Sequence, residues 1–353
     1  MNTTKMPTRF STYYDYDYET YSPCTMESAK NSGERFLPVL YTLVFLFGLP
    51  GNVLVLWVLL KYRRLRNMTD ICLLNLAISD LLFVISLPFW AYFAANQWIF
   101  GNVFCKIINA FYVLGYYGGI MFISLISVDR YFAIVHAVSP FLKRTALHGF
   151  ISSIAMWCIA ILASLPTLIH TKAVNVEERI ICHSFLSGES SLKWVLGNIF
   201  KDNVLGFLVP LVIMIFCYRN IVIILLKNKT NKHRAIKVIF AVVIIFLIFW
   251  TPHNIVLFLV SLKQLQVLSG CDTQNKLSMT QQITESITFV HCCLNPIIYA
   301  FLGQKFRSDL RRLLRLPSIF GYKAHNKGLF TSREFNTSMR SQSSGDHYSS
   351  TLM

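Results

Sequence analysis

The chain has 353 residues, is 54% hydrophobic and only 14% charged, and has a mean hydropathy of +0.50. A soluble domain of this length must cover itself with polar side chains, so the composition excludes an ordinary soluble globule and indicates a membrane protein. The net charge of +16 reads as basic loops against anionic lipid headgroups rather than as a nucleic-acid surface.

In chain order, residues 1–35 form a polar arm. It begins Met1-Asn2-Thr3-Thr4-Lys5 and lacks a short apolar stretch followed by a small-residue cleavage site, so no removable signal peptide is expected. From Phe10 to Glu27 the arm carries Asp15, Asp17, Glu19 and Glu27 with no Lys or Arg, interleaved with Tyr13, Tyr14, Tyr16, Tyr18 and Tyr21. Seven segments then approach the roughly 20 apolar residues that a helix needs to cross a bilayer. Phe36–Leu60, Ile107–Val128, Thr145–Thr171 and Val238–Leu262 carry no charge at all. Ile71–Phe93 carries only Asp80, and Ile283–Leu302 only Glu285. The fifth, Trp194–Lys227, includes Lys201, Asp202 and Arg219, which are expected near the two membrane surfaces. After the seventh span, Phe306, Leu310, Leu313 and Leu314 alternate at helical spacing with Lys305, Arg307, Arg311, Arg312 and Arg315. This fits a short amphipathic helix on the inner leaflet, with an ordinary basic tail as the alternative. The expected organisation is an arm over 1–35, a seven-helix domain over 36–303, an amphipathic helix over 304–316 and a Ser/Thr-rich tail over 317–353. The fold class is all-α integral membrane: a seven-transmembrane helix bundle with a short eighth helix.

An odd number of spans places the termini on opposite sides, and basic residues decide which way round. The loops Lys61–Asp70, Phe132–Leu147 and Arg219–Lys237, together with the tail from Gly303, hold 21 Lys and Arg, against 10 in the arm and the other three loops. The N-terminus is therefore expected outside and the C-terminus in the cytoplasm, in a multi-pass protein of the plasma membrane. Cys24, Cys105, Cys182 and Cys271 fall outside, where disulfides persist, and four cysteines allow three pairings. Asn2 heads the one outward Asn-x-Ser/Thr sequon and is the expected glycan site; those at Asn67, Asn228 and Asn336 face inward.

Polar groups inside spans carry an energetic cost that something must offset. Asp80 lies mid-span, where a lone carboxylate costs several kcal/mol unless paired, hydrated or protonated. A cation site there, with sodium as candidate occupant, stands beside a purely structural polar cluster; Asn52, Asn75 and Asn295 are the expected hydrogen-bonding neighbours. Pro88, Pro166, Pro210, Pro252 and Pro296 each remove a helical hydrogen bond and favour kinks. No internal repeat is visible, which argues against a transporter built from duplicated halves. His291 stands beside Cys292 without a metal-spaced partner, which argues against a membrane hydrolase.

Three motifs fall at the ends and kinks of these spans: Asp129-Arg130-Tyr131, Phe249-Trp250-Thr251-Pro252, and Asn295-Pro296-Ile297-Ile298-Tyr299. The ordered set resembles the rhodopsin-like G-protein-coupled receptors, with Asn52, Asp80, Trp157 and Pro210 at the marker positions of their own spans. The run Asp129-Arg130-Tyr131-Phe132-Ala133-Ile134-Val135-His136-Ala137 closely matches the Asp-Arg-Tyr-Leu-Ala-Ile-Val-His-Ala signature of chemokine receptors, departing at Phe132. Ser86-Leu87-Pro88, His291-Cys292-Cys293-Leu294-Asn295-Pro296 and the outer pair Cys24 and Cys271 are similar to that family too. Resemblance runs from about Cys24 to Phe306, and the stretch Leu74–Val84 looks most like types four and eight of the CC receptors.

The resemblance implies a receptor for CC chemokines, signalling through a heterotrimeric G protein of the Gi type to raise calcium and drive chemotaxis. A chemokine-scavenging receptor, or a receptor for another peptide chemoattractant, is the alternative; intact Asp129-Arg130-Tyr131 argues for signalling. Phe289 stands where opsins carry the retinal lysine and Tyr112 where amine receptors carry an aspartate, and both departures favour a peptide or protein ligand. Chemokines are small and usually basic, so the acidic arm would dock them, with sulfated tyrosines adding charge. Glu285, Tyr41, Trp90 and Tyr112 would line the pocket that receives the ligand's N-terminus; alternatively Glu285 pairs internally with Lys106 or Lys201. Asp80, Asp129, Arg130, Tyr131, Trp250, Pro252, Asn295, Pro296 and Tyr299 would form the activation switch. The resemblance pairs Cys105 with Cys182 and Cys24 with Cys271. It also implies receptor kinases and arrestin at the tail, membrane lipids around the bundle, and no catalytic residues, cofactor or nucleic-acid partner.

Overall fold

The computed structural model describes residues 27–63, 65–136, 145–176, 179–184, 191–227, 232–268, 270–302 and 304–314, with side chains from 33 onward except at 232–241, 299–305 and 314. Asn2, the arm residues Tyr13 to Glu19, Cys24 and the serine-rich tail lie outside the described residues. In chain order the helices are α1 (Glu27–Val58, continued by a π turn at Leu59–Arg63), α2 (Met68–Ala95), α3 (Gly101–Val135) and α4 (Ala146–His170). They continue with α5 (Ser191–Lys227, with a π turn at Val204–Leu208), α6 (Lys232–Gln264), α7 (Cys271–Leu302) and α8 (Gln304–Leu314). Among the described residues, α1 to α6 each contain a stretch long and apolar enough to cross a membrane. The seventh, α7, is less apolar because Asp272, Lys276 and Glu285 lie along it. The outer surface behaves as expected of helices in lipid: Phe47, Ile154 and Val212 stay 69%, 64% and 65% exposed.

Helices outrun the apolar stretches that mark them, since backbone hydrogen bonding does not end where hydrocarbon does. α1 starts at Glu27, outward of Phe36, and α7 starts at Cys271, outward of Ile283. The α2/α3 crossing is close: a Cβ on Gly115 would stand 2.6 Å from the Phe83 Cβ and 2.7 Å from its backbone nitrogen, so only glycine lets the two helices approach this far. α5 meets its proline differently. The backbone N–H of Val209 reaches back to the Val204 carbonyl, and this wide π turn sits immediately before Pro210, where an α-helical bond cannot form.

One element escaped the helical pattern. β1 (Thr171–Val176) and β2 (Arg179–Ser184) pair antiparallel, with Ala173 opposite Cys182. The Cys105–Cys182 disulfide, Cα–Cα 5.6 Å, ties β2 to α3. Trp98, fully buried, donates its backbone N–H to Ile180 at 2.8 Å. Arg179 pairs with Glu34 at 2.9 Å and also donates to the Asn96 carbonyl, so the hairpin is fastened to α1 and to the α2–α3 connection. At the opposite end, Phe306, Leu310 and Leu313 of α8 pack on Val55, Val58 and Leu59 of α1, while Arg63 bridges Asp70 at 3.3 Å and Asp309 at 2.9 Å.

Candidate functional site

The end of the bundle closed by the hairpin holds an aromatic cup around a carboxylate. The Tyr112 hydroxyl of α3 donates to Glu285 Oε1 of α7 at 2.6 Å. Phe83, Tyr112 and Phe289 pack mutually, with centroids 4.9 to 5.8 Å apart. Tyr41 of α1 joins at 5.4 Å from Phe289, and Trp90 of α2 meets Tyr112 edge-on at 5.9 Å. The four residues expected from the sequence, Tyr41, Trp90, Tyr112 and Glu285, are thus brought together. Neither internal cation anticipated for Glu285 reaches it. Lys106 is exposed, and Lys201 is held by the Ala163 carbonyl at 3.0 Å, Asn198 at 3.1 Å and Asp202 at 3.7 Å. Among the described residues Glu285 makes no ion pair.

Beside this cup a cavity of about 190 Å³ opens between α3, α5, α6 and α7, bounded among others by Tyr112, Tyr116, Asp202, His253, Gln281 and Glu285. Asp202 faces this internal polar space and accepts a hydrogen bond from the Tyr117 hydroxyl. Arg219, by contrast, is exposed. Sequence reasoning missed Asp202, His253, Tyr116 and Tyr117 as site residues. The available signal was the charge pair inside an otherwise apolar fifth span.

Tyr116 connects this cavity to a deeper one. Its ring meets Trp250 of α6 at 5.3 Å, and a Cβ on Gly206 in the π turn of α5 would come within 2.7 Å of its hydroxyl. Trp250 is buried, stacks on Phe246 at 6.1 Å and lies 6.0 Å from His291 of α7. Pro252 follows it within α6. A displacement at the cup thus has a packed route through Tyr116 to the helix that carries Pro252.

Beneath Trp250, Asn295 donates to Asp80 Oδ2 at 2.8 Å. The other two expected neighbours do not take part. Asn52 donates to the Gly48 and Cys292 carbonyls at 3.0 and 3.1 Å, tying α1 to α7. Asn75 donates to Ser153 at 3.1 Å and accepts from the Trp157 indole at 2.9 Å, tying α2 to α4. Each helix presents its asparagine to the neighbour it crosses, and that neighbour differs. The space beside Asp80, about 30 Å³, suits roughly one water. A hard cation wants several oxygen ligands, whereas this wall offers the Asp80 carboxylate and the Thr288 hydroxyl among Gly119, Trp250, His291 and Cys292. The residues present do not fit a sodium ion.

At the far end of α3, Asp129 is buried and accepts from the Thr69 hydroxyl at 2.6 Å, while Arg130 beside it is exposed. Tyr131 packs against Phe216 of α5 at 5.6 Å. Pro296 lies within α7, as does the backbone of Tyr299, whose side chain is outside the described ones. Cys271 is disulfide-bonded; its expected partner Cys24 lies outside the described residues.

Residues 51–299 match the family model of the seven-transmembrane receptors of the rhodopsin family. The chain is also 51% identical over 307 residues to the human C-C chemokine receptor type 4, which covers 87% of this chain and 85% of that protein.

Proposed function

The chain belongs to the rhodopsin family of seven-transmembrane receptors, and from that premise we propose that it is a receptor for CC chemokines that activates a heterotrimeric G protein of the Gi type. Glu285 carries the reading: a carboxylate oriented by Tyr112, walled by Tyr41, Trp90 and Phe289, and lacking an internal cation among the described residues. Such a group is costly in a bundle core unless water or a ligand cation completes it. The resemblance to a chemokine receptor supplies the partner, a small basic protein whose N-terminus enters between the helices.

Two contacts divide the work. The arm, with Asp15, Asp17, Glu19 and the neighbouring tyrosines, attracts and docks the basic ligand, which mainly raises association rate. Glu285 then takes the ligand's cation, and the displacement is felt through Tyr116 at Trp250. Ligand contacts that differ between two bundle states shift the population toward an outward-moved α6. That movement opens space beside the already exposed Arg130 at the end of α3 for the G protein, leading to calcium release and chemotaxis. The excess of basic residues in the loops between α1 and α2, α3 and α4, and α5 and α6 supports an outer N-terminus and a cytoplasmic C-terminus. Receptor kinases and arrestin would act on the serine-rich tail, and the basic face of α8 would meet anionic lipid.

Cells carrying the receptor should release calcium and lower cAMP on addition of at least one purified CC chemokine. Uptake of chemokine with neither response, at verified surface expression, would establish the scavenging alternative instead.

A further inference from the structure

The cavity between α3, α5, α6 and α7 has a carboxylate on two walls, and each is oriented by a tyrosine of α3. Tyr112 donates to Glu285 Oε1, and Tyr117 donates to Asp202 Oδ1. Glu285 Oε2 and Asp202 Oδ2 have no hydrogen-bond donor among the described residues, and the Asp202 side chain is 33% exposed. Lys201 does not line the cavity; its nearer partners are the Ala163 carbonyl and Asn198, at 3.0 and 3.1 Å against 3.7 Å to Asp202 Oδ1. A third group points to an occupant independently. His253 lines the same cavity, is only 5% exposed, and its buried Nδ1 has no hydrogen-bond partner. A buried polar atom of this kind costs about 1–3 kcal/mol unless something completes it.

We infer that Asp202 and His253 form a second subsite, and that the cavity takes a peptide N-terminal residue carrying two cations, one held by Glu285 and the other by Asp202. A volume of about 190 Å³ corresponds to roughly six waters at 30 Å³ each, room for one extended side chain with its α-ammonium but not for a folded segment. The backbone amide of that residue supplies the partner His253 Nδ1 lacks. The inference deepens the receptor reading by naming the ligand chemistry, and it rests on that reading only for the identity of the natural ligand.

The test uses purified full-length receptor in lipid nanodiscs at pH 7 and reads its thermal unfolding with three small probes. L-Lysinamide carries both cations, norleucinamide only the α-ammonium, and Nα-acetyl-lysinamide only the ε-ammonium. At matched ionic strength lysinamide should raise the melting temperature more than either monocation. Asp202→Asn and Glu285→Gln should each weaken lysinamide about tenfold, to the level of the monocations, and Asp202→Glu should restore it. Equal shifts from all three probes, or lysinamide protection unchanged in both neutral variants, would overturn the subsite. If Asp202→Asn does not fold, the comparison among probes on the unsubstituted receptor and on Glu285→Gln still decides. No chemokine or G protein enters this assay. Dication selectivity in a receptor that answers no chemokine would refute the proposed function and leave the subsite standing; the reverse pair of results would do the opposite.

Discussion

Replacing Glu285 by Gln should lower the ceiling of the response, not merely shift its dose. Gln keeps an oxygen to accept the Tyr112 hydroxyl now donated at 2.6 Å, so the fold loses only the charge assistance of one hydrogen bond, about 1 kcal/mol. What disappears is the carboxylate's pairing with a ligand cation, worth up to about 3 kcal/mol for a hydrogen bond to a charged group. Suppose the bound ligand holds about 90% of receptors active and this contact is made only in the active state. Removing about 2.7 kcal/mol then lowers the active-to-inactive ratio about a hundredfold, from about 9:1 to about 0.09:1. The active fraction falls to about 8%, whereas overall affinity falls only about ninefold, because the inactive state still binds through the arm. Radioligand binding and calcium dose–response at matched surface expression separate the two. Full restoration of the maximal response at high ligand would refute the argument, as would an affinity loss far beyond tenfold with an intact maximum.

Neutralising Asp15, Asp17 and Glu19 to Asn or Gln should do the reverse: equilibrium binding weakens and becomes less salt-sensitive, while the maximal calcium response stays reachable. Gly115→Ala forces α2 and α3 apart, since the new Cβ would meet Phe83 at 2.6 Å; a loss of about 1–3 kcal/mol should show as a lower melting temperature and reduced surface expression, and unchanged melting would contradict the close crossing. Converting Ser338, Ser341, Ser343, Ser344, Ser349, Ser350 and Thr351 to Ala should preserve the first calcium response and sharply reduce arrestin recruitment. Unchanged recruitment in an arrestin proximity assay would remove the tail from the account.

The helices were legible because hydrocarbon imposes one requirement on every span, a long stretch free of charge, and that requirement is written locally in the chain. Asp80 with Asn295, and Glu285 with Tyr112, were anticipated as neighbours because they stand at recognisable motif positions. Facing direction was not legible. Lys201 and Asp202 are adjacent in sequence, yet one turns toward the Ala163 carbonyl and the other lines the cavity, and the π turn at Val204–Leu208 alters the register of faces along α5. Asn52 and Asn75 looked like members of one cluster; which neighbour each reaches depends on helix crossings that a linear pattern does not encode. The hairpin was hidden for another reason. Thr171–Val176 and Arg179–Ser184 are short and only partly apolar, and what fixes them is distant: Cys105, Trp98 and Glu34.

A CC chemokine acting through this bundle should drive nucleotide exchange on a G protein. Purified receptor in lipid nanodiscs, mixed with purified Gi heterotrimer and a panel of CC chemokines, measures that step with no cellular intermediary. At least one chemokine should accelerate GTPγS uptake, and Arg130→Ala should abolish the acceleration while chemokine binding persists. High-affinity binding with exchange left at its basal rate for every chemokine of the panel would rule out this coupling.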